Sequence, residues 1–189
     1  VAYKDYNWMM NLVEEMLERA AMDVTGSAVV LTGGNSVSFA RPWKRYTFYG
    51  AIAHFTGHDL RHATPDAMLA VLRSLGVAYD GPMDKASLAD EIFGAAVEPK
   101  LIDPTFITDY PVEMSPLAKK HRSEPGLVER FEVICNGKEI SNAYSELNDP
   151  DDQRLRFMEQ ARVRAGGNEE AMQFDEDFIR ALEYGMPPT

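Results

Sequence analysis

The chain has 189 residues, 45% of them hydrophobic, enough to bury a core as one domain or as one domain with an insertion. Its 30 acidic residues against 19 Lys and Arg give a net charge of −11, which repels nucleic-acid phosphates and anionic membranes on average and weighs against nucleic-acid binding without a local basic patch. The single cysteine, Cys135, excludes an intrachain disulfide and fits a reducing cytoplasm; no apolar run approaches the ~20 residues of a spanning helix, and no signal peptide is apparent.

In chain order, Asp5 or Asn7 caps a predicted helix running to about Met22, with Met9, Leu12, Val13, Met16, Leu17 and Ala20 as its apolar stripe. Trp8, Met9 and Met10 read as core. Gly26 ends this segment. Ala28–Thr32 and Ser36–Phe39 form a predicted hairpin around Gly33-Gly34-Asn35, where the glycines serve a turn, because no helix N-terminus follows to bind phosphate. Pro42–Thr47 predicts a short strand that leads into a helix.

From about Tyr49 to Val97 the texture changes. Alanine is frequent, and Tyr49–Phe55, Thr64–Leu75 and Ser87–Ala96 carry helical spacing, with Thr64-Pro65 in the N-cap, N1 arrangement. The chain is therefore divided into 1–48, a helical insertion at 49–97, and 98–189, which contains the central hairpin. His54, His58 and His62 recur every fourth residue, a zinc-like spacing. Gly57 interrupts the helix and Arg61 adds a nearby cation, so exposed or capping histidines are the expectation.

Asp103-Pro104 introduces a predicted strand over Thr105–Tyr110. The loop Glu113–Gly126 follows and carries the basic run Lys119-Lys120-His121-Arg122. The run reads as a solvated charged loop, or alternatively as an active-site edge approaching phosphate. Next comes Phe131–Pro150, FEVICNGKEISNAYSELNDP. Two β-rich runs flank Asn136-Gly137, the dipeptide suited to a two-residue type I′ turn. Such a turn pairs Cys135 with Lys138 and Ile134 with Glu139, placing Glu132 diagonal to Glu139 on one face. Two carboxylates that close repel unless a divalent cation lies between them. Strict alternation sends Asn142, Tyr144 and Glu146 to the other face, so a bulge between Glu139 and Asn142 is predicted to gather both sets. Asp149 and Pro150 then open a helix with Leu155, Met158 and Ala161 inward, ended by Gly166-Gly167. A last helical stretch runs from Glu169 to Tyr184, with Asp175, Glu176 and Asp177 as a capping cluster and Gly185 beyond its end.

The run ERFEVICNGKEISNAYSELNDPDDQRLRF, the upstream FITDYPVEMSPLAKKHRSEPGLVERFE and the tail GNEEAMQFDEDFIRALEYGMPPT together resemble bacterial-type class II lysyl-tRNA synthetases. The resemblance covers essentially the whole chain and is weakest over about 50–95. It implies an α+β fold: an antiparallel active-site sheet with flanking helices and a small helical insertion, incomplete at both ends. It also implies ATP-dependent activation of lysine, then transfer to tRNA(Lys). Carried over by position, Glu132 and Glu139 serve ATP and Mg²⁺, while Asn142, Tyr144 and Glu146 line the lysine pocket, with Glu146 facing the lysine ammonium. The lysine carboxylate attacks the α-phosphorus in line, so no residue here is expected to act as a nucleophile.

By the same resemblance, VAYKDY continues the second signature motif, whose ATP-binding arginine lies upstream. The arginine of the third motif is expected beyond MPPT. The chain is expected to be an internal piece of a cytoplasmic, homodimeric enzyme, inactive alone and prone to self-association through open strand edges. Two other readings stand beside this one: a paralogous lysine-type ligase that modifies elongation factor P, and a non-catalytic interaction domain on the same scaffold.

Overall fold

The computed structural model describes residues 1–166 and 171–189. Asp5 accepts from the Trp8 amide at 3.1 Å and caps helix α1, Tyr6–Thr25, which Gly26 closes in the left-handed conformation with φ 73°. The inner face of α1 differs from the predicted stripe. Tyr6, Met10, Val13 and Glu14 are buried, whereas Leu12 and Met16 are exposed. The face is rotated because a carboxylate occupies a core position: Glu14 accepts from the Trp43 amide at 2.5 Å and lies 3.6 Å from the Arg45 guanidinium. Trp8 also lies at the surface, with the Lys4 ammonium over its ring.

Strands β1 (Val29–Thr32) and β2 (Asn35–Ser38) form the expected hairpin about Gly33-Gly34, both of which take positive φ. A second sheet contains β3 (Lys44–Thr47), β4 (Thr105–Thr108), β5 (Arg130–Cys135) and β6 (Lys138–Tyr144), in that order. It is antiparallel from β4 to β6 and parallel between β3 and β4. That parallel pair is made possible by the long connection through helices α2 (Phe48–Thr56), α3 (Pro65–Ser74) and α4 (Lys85–Ala96).

The two faces of the four-stranded sheet are covered differently. One face carries Phe106, Phe131 and Val133 and packs on Trp43 and the inner side of α1. Burying each of these phenylalanines contributes about 2–3 kcal/mol. The other face carries Ile107 and Ile134, whose core is continuous with Phe48, Leu72, Leu88 and Ile92 of the helical segment. The helices therefore share one core with the sheet, and this core lies on the face that bears Glu132.

Helix α5, Pro150–Ala165, starts at Asp149, whose side chain accepts from the amides of Asp151 and Asp152. Its inner face is also not the predicted one. Gln153, Arg156 and Phe157 are buried, while Leu155 is 65% exposed and Met158 is exposed as well. The polar groups go inward because the segment before β5 offers them partners: Arg156 donates to the carbonyls of Ser115 (3.0 Å) and Ala118 (2.7 Å), and Gln153 to that of Pro116 (3.1 Å). Helix α6, Glu176–Glu183, is capped by Asp175 as expected, and Gly185 follows it with φ 103°. Gly166 caps the end of α5 as expected, whereas residues 171–175 of the predicted last helix are not helical and α6 begins only at Glu176; Gly167 and Glu169 lie outside the described residues.

Asn136 and Gly137 take φ values of 53° and 69°, the two positive angles of a type I′ turn. Gly137→Ala, forced into that conformation, is expected to lower stability by about 1–2 kcal/mol, and Gly137→Asn by less. Urea denaturation of the two variants checks the order.

Candidate active site

The register of the central hairpin decides which side chains meet. Cys135 pairs with Lys138 and Ile134 with Glu139, but Val133 pairs with Ser141, leaving Ile140 as an extra residue in β6. This is the predicted bulge. Beyond it Glu132 lies directly opposite Asn142, and Arg130 opposite Tyr144. Paired residues share a face, so Glu132, Glu139, Asn142 and Tyr144 all project from the same side of the hairpin. Alternation carries Glu146 to that side too, and its charge raises the pKa of the Tyr144 phenol, after the larger effect of burial.

Arg130 lies at the middle of this strip, a residue that sequence reasoning overlooked. Its Nη2 is ion-paired with Glu132, its Nε donates to Asn142 at 3.2 Å, and its Nη1 donates to Ser115 Oγ and the Met114 carbonyl, both at 2.9 Å. Its Cζ lies 4.8 Å from the Tyr110 ring centroid, while the Tyr110 hydroxyl donates to the other Glu132 oxygen at 2.7 Å. The signal for Arg130 was present in the Arg-Phe-Glu spacing, which puts both charged groups on one strand face.

Burial pushes the Glu132 carboxyl up despite Arg130 and Tyr110, and the charges of Glu139 and Asp90 push the same way. Glu98, after α4, is raised by burial and then by Asp90 and Glu139. The helical segment thus brings two more acids to the margin of the strip. Among the described residues no three His, Cys, Asp or Glu side chains converge on a metal position. Both Glu132 oxygens are already engaged, by Arg130 and by the Tyr110 hydroxyl, so of the two acids carried on the hairpin only the exposed Glu139 is without a described partner. His54, His58 and His62 are exposed, and His54 stacks on Tyr46 at 5.2 Å.

Glu146 stands apart. It is half-buried, and no described side chain forms a hydrogen bond or ion pair with its carboxylate. Burial raises its pKa, and the Val1 ammonium opposes that shift. A desolvated carboxylate without a partner is a ready acceptor for a cation.

The basic run has its partners within the chain. Lys119 donates to Asn148 at 3.1 Å, Lys120 meets Asp152 at 3.0 Å, and Arg122 binds both Glu129 (2.5 Å) and Asp5 (2.9 Å). His121 Nδ1 accepts from the amides of Ser123 and Glu124, so the neutral ring carries its proton on Nε2, which faces Asp109 at 3.7 Å and Tyr6 Oη at 3.4 Å. The run is a clamp across β5, α1 and α5, which neither reading of it as a free loop anticipated. Asp109, His121 and Arg61 line a cavity of about 400 Å³ that contains none of the predicted site residues.

The family described as tRNA synthetases class II (D, K and N) matches the chain over residues 1–189. Lysine–tRNA ligases from two strains of Porphyromonas gingivalis are each 56% identical to it, and one from Christiangramia forsetii is 51% identical, all over 189 residues. Each match covers 100% of this chain and 33% of the relative, so the chain spans a third of the length of these curated relatives.

Two substitutions test the electrostatics with opposite signs. Burial pushes Glu129 up, but hydrogen bonds from Arg122 and Ser145 hold it below the ordinary 4.5, so the charged form stabilises the fold above that pH. Arg122→Ala is expected to cost about 2 kcal/mol at pH 7, and the loss should shrink as pH falls below 4.5. Glu146 is raised, so its charge opposes folding as pH climbs through the elevated native value. Without ligand, Glu146→Gln is expected to raise Tm by about 2 °C at pH 7, with the gain fading as pH falls toward 4.5. Thermal and urea melts at several pH values read both.

Proposed function

The chain belongs to the class II tRNA synthetases (D, K and N), and from that premise we propose that the whole protein attaches lysine to tRNA(Lys) with ATP. The observation that carries this reading is the Ile140 bulge, which sets Glu132, Glu139, Asn142 and Tyr144 on one face with the unpaired carboxylate of Glu146 farther along the strip. The names of the curated relatives support lysine as the amino acid and tRNA as the acceptor.

Glu146 selects the substrate. Its half-buried carboxylate gains an ion pair from the lysine ε-ammonium and nothing comparable from a neutral side chain of the same length. Tyr144 and Asn142 line the same strip and orient the amino acid. Glu132 and Glu139 hold the magnesium–nucleotide end, where Mg²⁺ when bound neutralises phosphate charge and aligns the pyrophosphate leaving group. Lysine supplies its own nucleophile, the carboxylate, so the task of this segment is to position two substrates in line and to exclude poor ones. The protein is proposed to act in the cytoplasm as a homodimer. Strand β6 pairs only with β5 among the described strands, and its open edge supports self-association of the isolated segment.

The test is lysine-dependent ATP–pyrophosphate exchange by a full-length protein carrying this segment. Glu146→Gln is expected to raise KM for lysine by about two orders of magnitude, as expected for an unpaired buried ammonium, with KM for ATP little changed. Wild-type exchange that does not depend on lysine, or an unaltered lysine KM in the variant, would overturn the proposal.

A further inference from the structure

We propose that Arg130 is a positioning residue that fixes the amino-acid and nucleotide ends of the strip relative to one another; this rests on the substrate reading above. Its guanidinium bridges three pieces of chain. It is ion-paired with Glu132 on β5, donates to Asn142 on β6, and is anchored from behind by Ser115 Oγ and the Met114 carbonyl. The Tyr110 ring lies against one face of the guanidinium, and its hydroxyl fixes the other Glu132 oxygen.

The geometry points to this role for three reasons. First, Glu132 and Asn142 belong to different proposed subsites but are direct cross-strand partners, so one planar donor reaches both. Second, the Arg130 side chain is only 16% exposed, and four of its contacts are hydrogen bonds or ion pairs with defined direction, so it cannot shift without leaving buried acceptors unsatisfied. Third, a lysine at this position carries one compact ammonium and cannot reproduce a fork that spans two strands and a loop. Arg130 itself need touch neither substrate. It acts by setting where the Glu132 carboxylate and the Asn142 amide point.

The experiment is steady-state pyrophosphate exchange by the full-length protein, with lysine and ATP varied separately, for Arg130→Lys, Arg130→Met, Asn142→Ala and the double variant R130M/N142A. Thermal melts accompany each one. If Arg130 positions both ends, both Arg130 variants raise KM for lysine and for ATP together, by about tenfold to a hundredfold, while Asn142→Ala raises only the lysine KM. The double variant then has a lysine KM no worse than the more impaired of the two single variants, because Arg130 reaches the lysine end only through Asn142. If Arg130→Lys restores both KM values, or the Arg130 variants lower only Tm, or the lysine effects multiply in the double variant, the positioning role is wrong. Failure of Asn142→Ala to change the lysine KM would instead defeat the pocket assignment, so the two ideas fail by different signatures.

Discussion

A β-strand sends successive side chains to opposite faces, and Glu139 and Glu146 are an odd number of residues apart. In a regular strand they would point in opposite directions, one toward the helical segment and the other toward α1. The inserted residue Ile140 reverses the alternation once, and every residue after it changes side. The composition of the two faces depends on this reversal. Phe131 and Val133 remain with the α1 core, while Asn142 and Tyr144 join Glu132 on the other side. A register one residue different would place Asn142 on the α1 side of the sheet with Phe131 and Val133, where an amide would lose its hydrogen bonds to water without replacement. The apolar packing of α1 and the polar strip are therefore two consequences of one backbone irregularity.

The hairpin was the most legible part of the chain, because its signals are local. Asn136-Gly137 sets the turn, the turn sets the first two pairs, and the placement of acids in the strand called for a bulge. The helices α1 and α5 were read as present, with their caps at Asp5 and Asp149, but their inner faces were misread for a shared reason. Apolar periodicity assumes that burial follows hydrophobicity. In α1 a glutamate is buried against the backbone of Trp43, and in α5 a glutamine and an arginine are buried against carbonyls of the segment after β4. Those partners are 29 to 41 residues away in sequence, so no window along one helix reveals them. Arg130 escaped notice similarly: its role comes from Met114, Ser115 and Asn142, which meet only after the sheet forms.

Charge follows the same pattern. A run of Lys119-Lys120-His121-Arg122 in a chain of net charge −11 invites reading as a phosphate patch. In the folded chain the run is distributed outward from its own loop: Lys120 reaches α5, Arg122 reaches both β5's neighbour Glu129 and the N-cap of α1, and His121 faces Asp109. An ion pair with Glu129, which is only 4% exposed, is worth more than a solvated surface pair, because breaking it leaves a desolvated charge. The run's affinity for phosphate is reduced by the same pairing, since an incoming anion must compete with carboxylates already in place.

This division of cations leaves the carboxylates of the chain unevenly paired. Glu132, Glu129 and Asp152 are neutralised by arginines and a lysine of the chain, so they exert little net pull on a free ammonium. Glu146 is not neutralised by any described side chain, and Glu139 likewise forms no described hydrogen bond or ion pair. Two carboxylates without a described partner therefore stand at the two ends of the same strip, the half-buried Glu146 and the solvent-exposed Glu139, separated by about 20 Å at the rise of a β-strand. On the proposed reading, the cationic tail of an amino acid satisfies the Glu146 end and a metal-bound polyphosphate the Glu139 end. On that reading a neutral amino acid leaves Glu146 desolvated and unpaired, and the proposed discrimination follows from a penalty on the wrong substrate as much as from attraction to the right one.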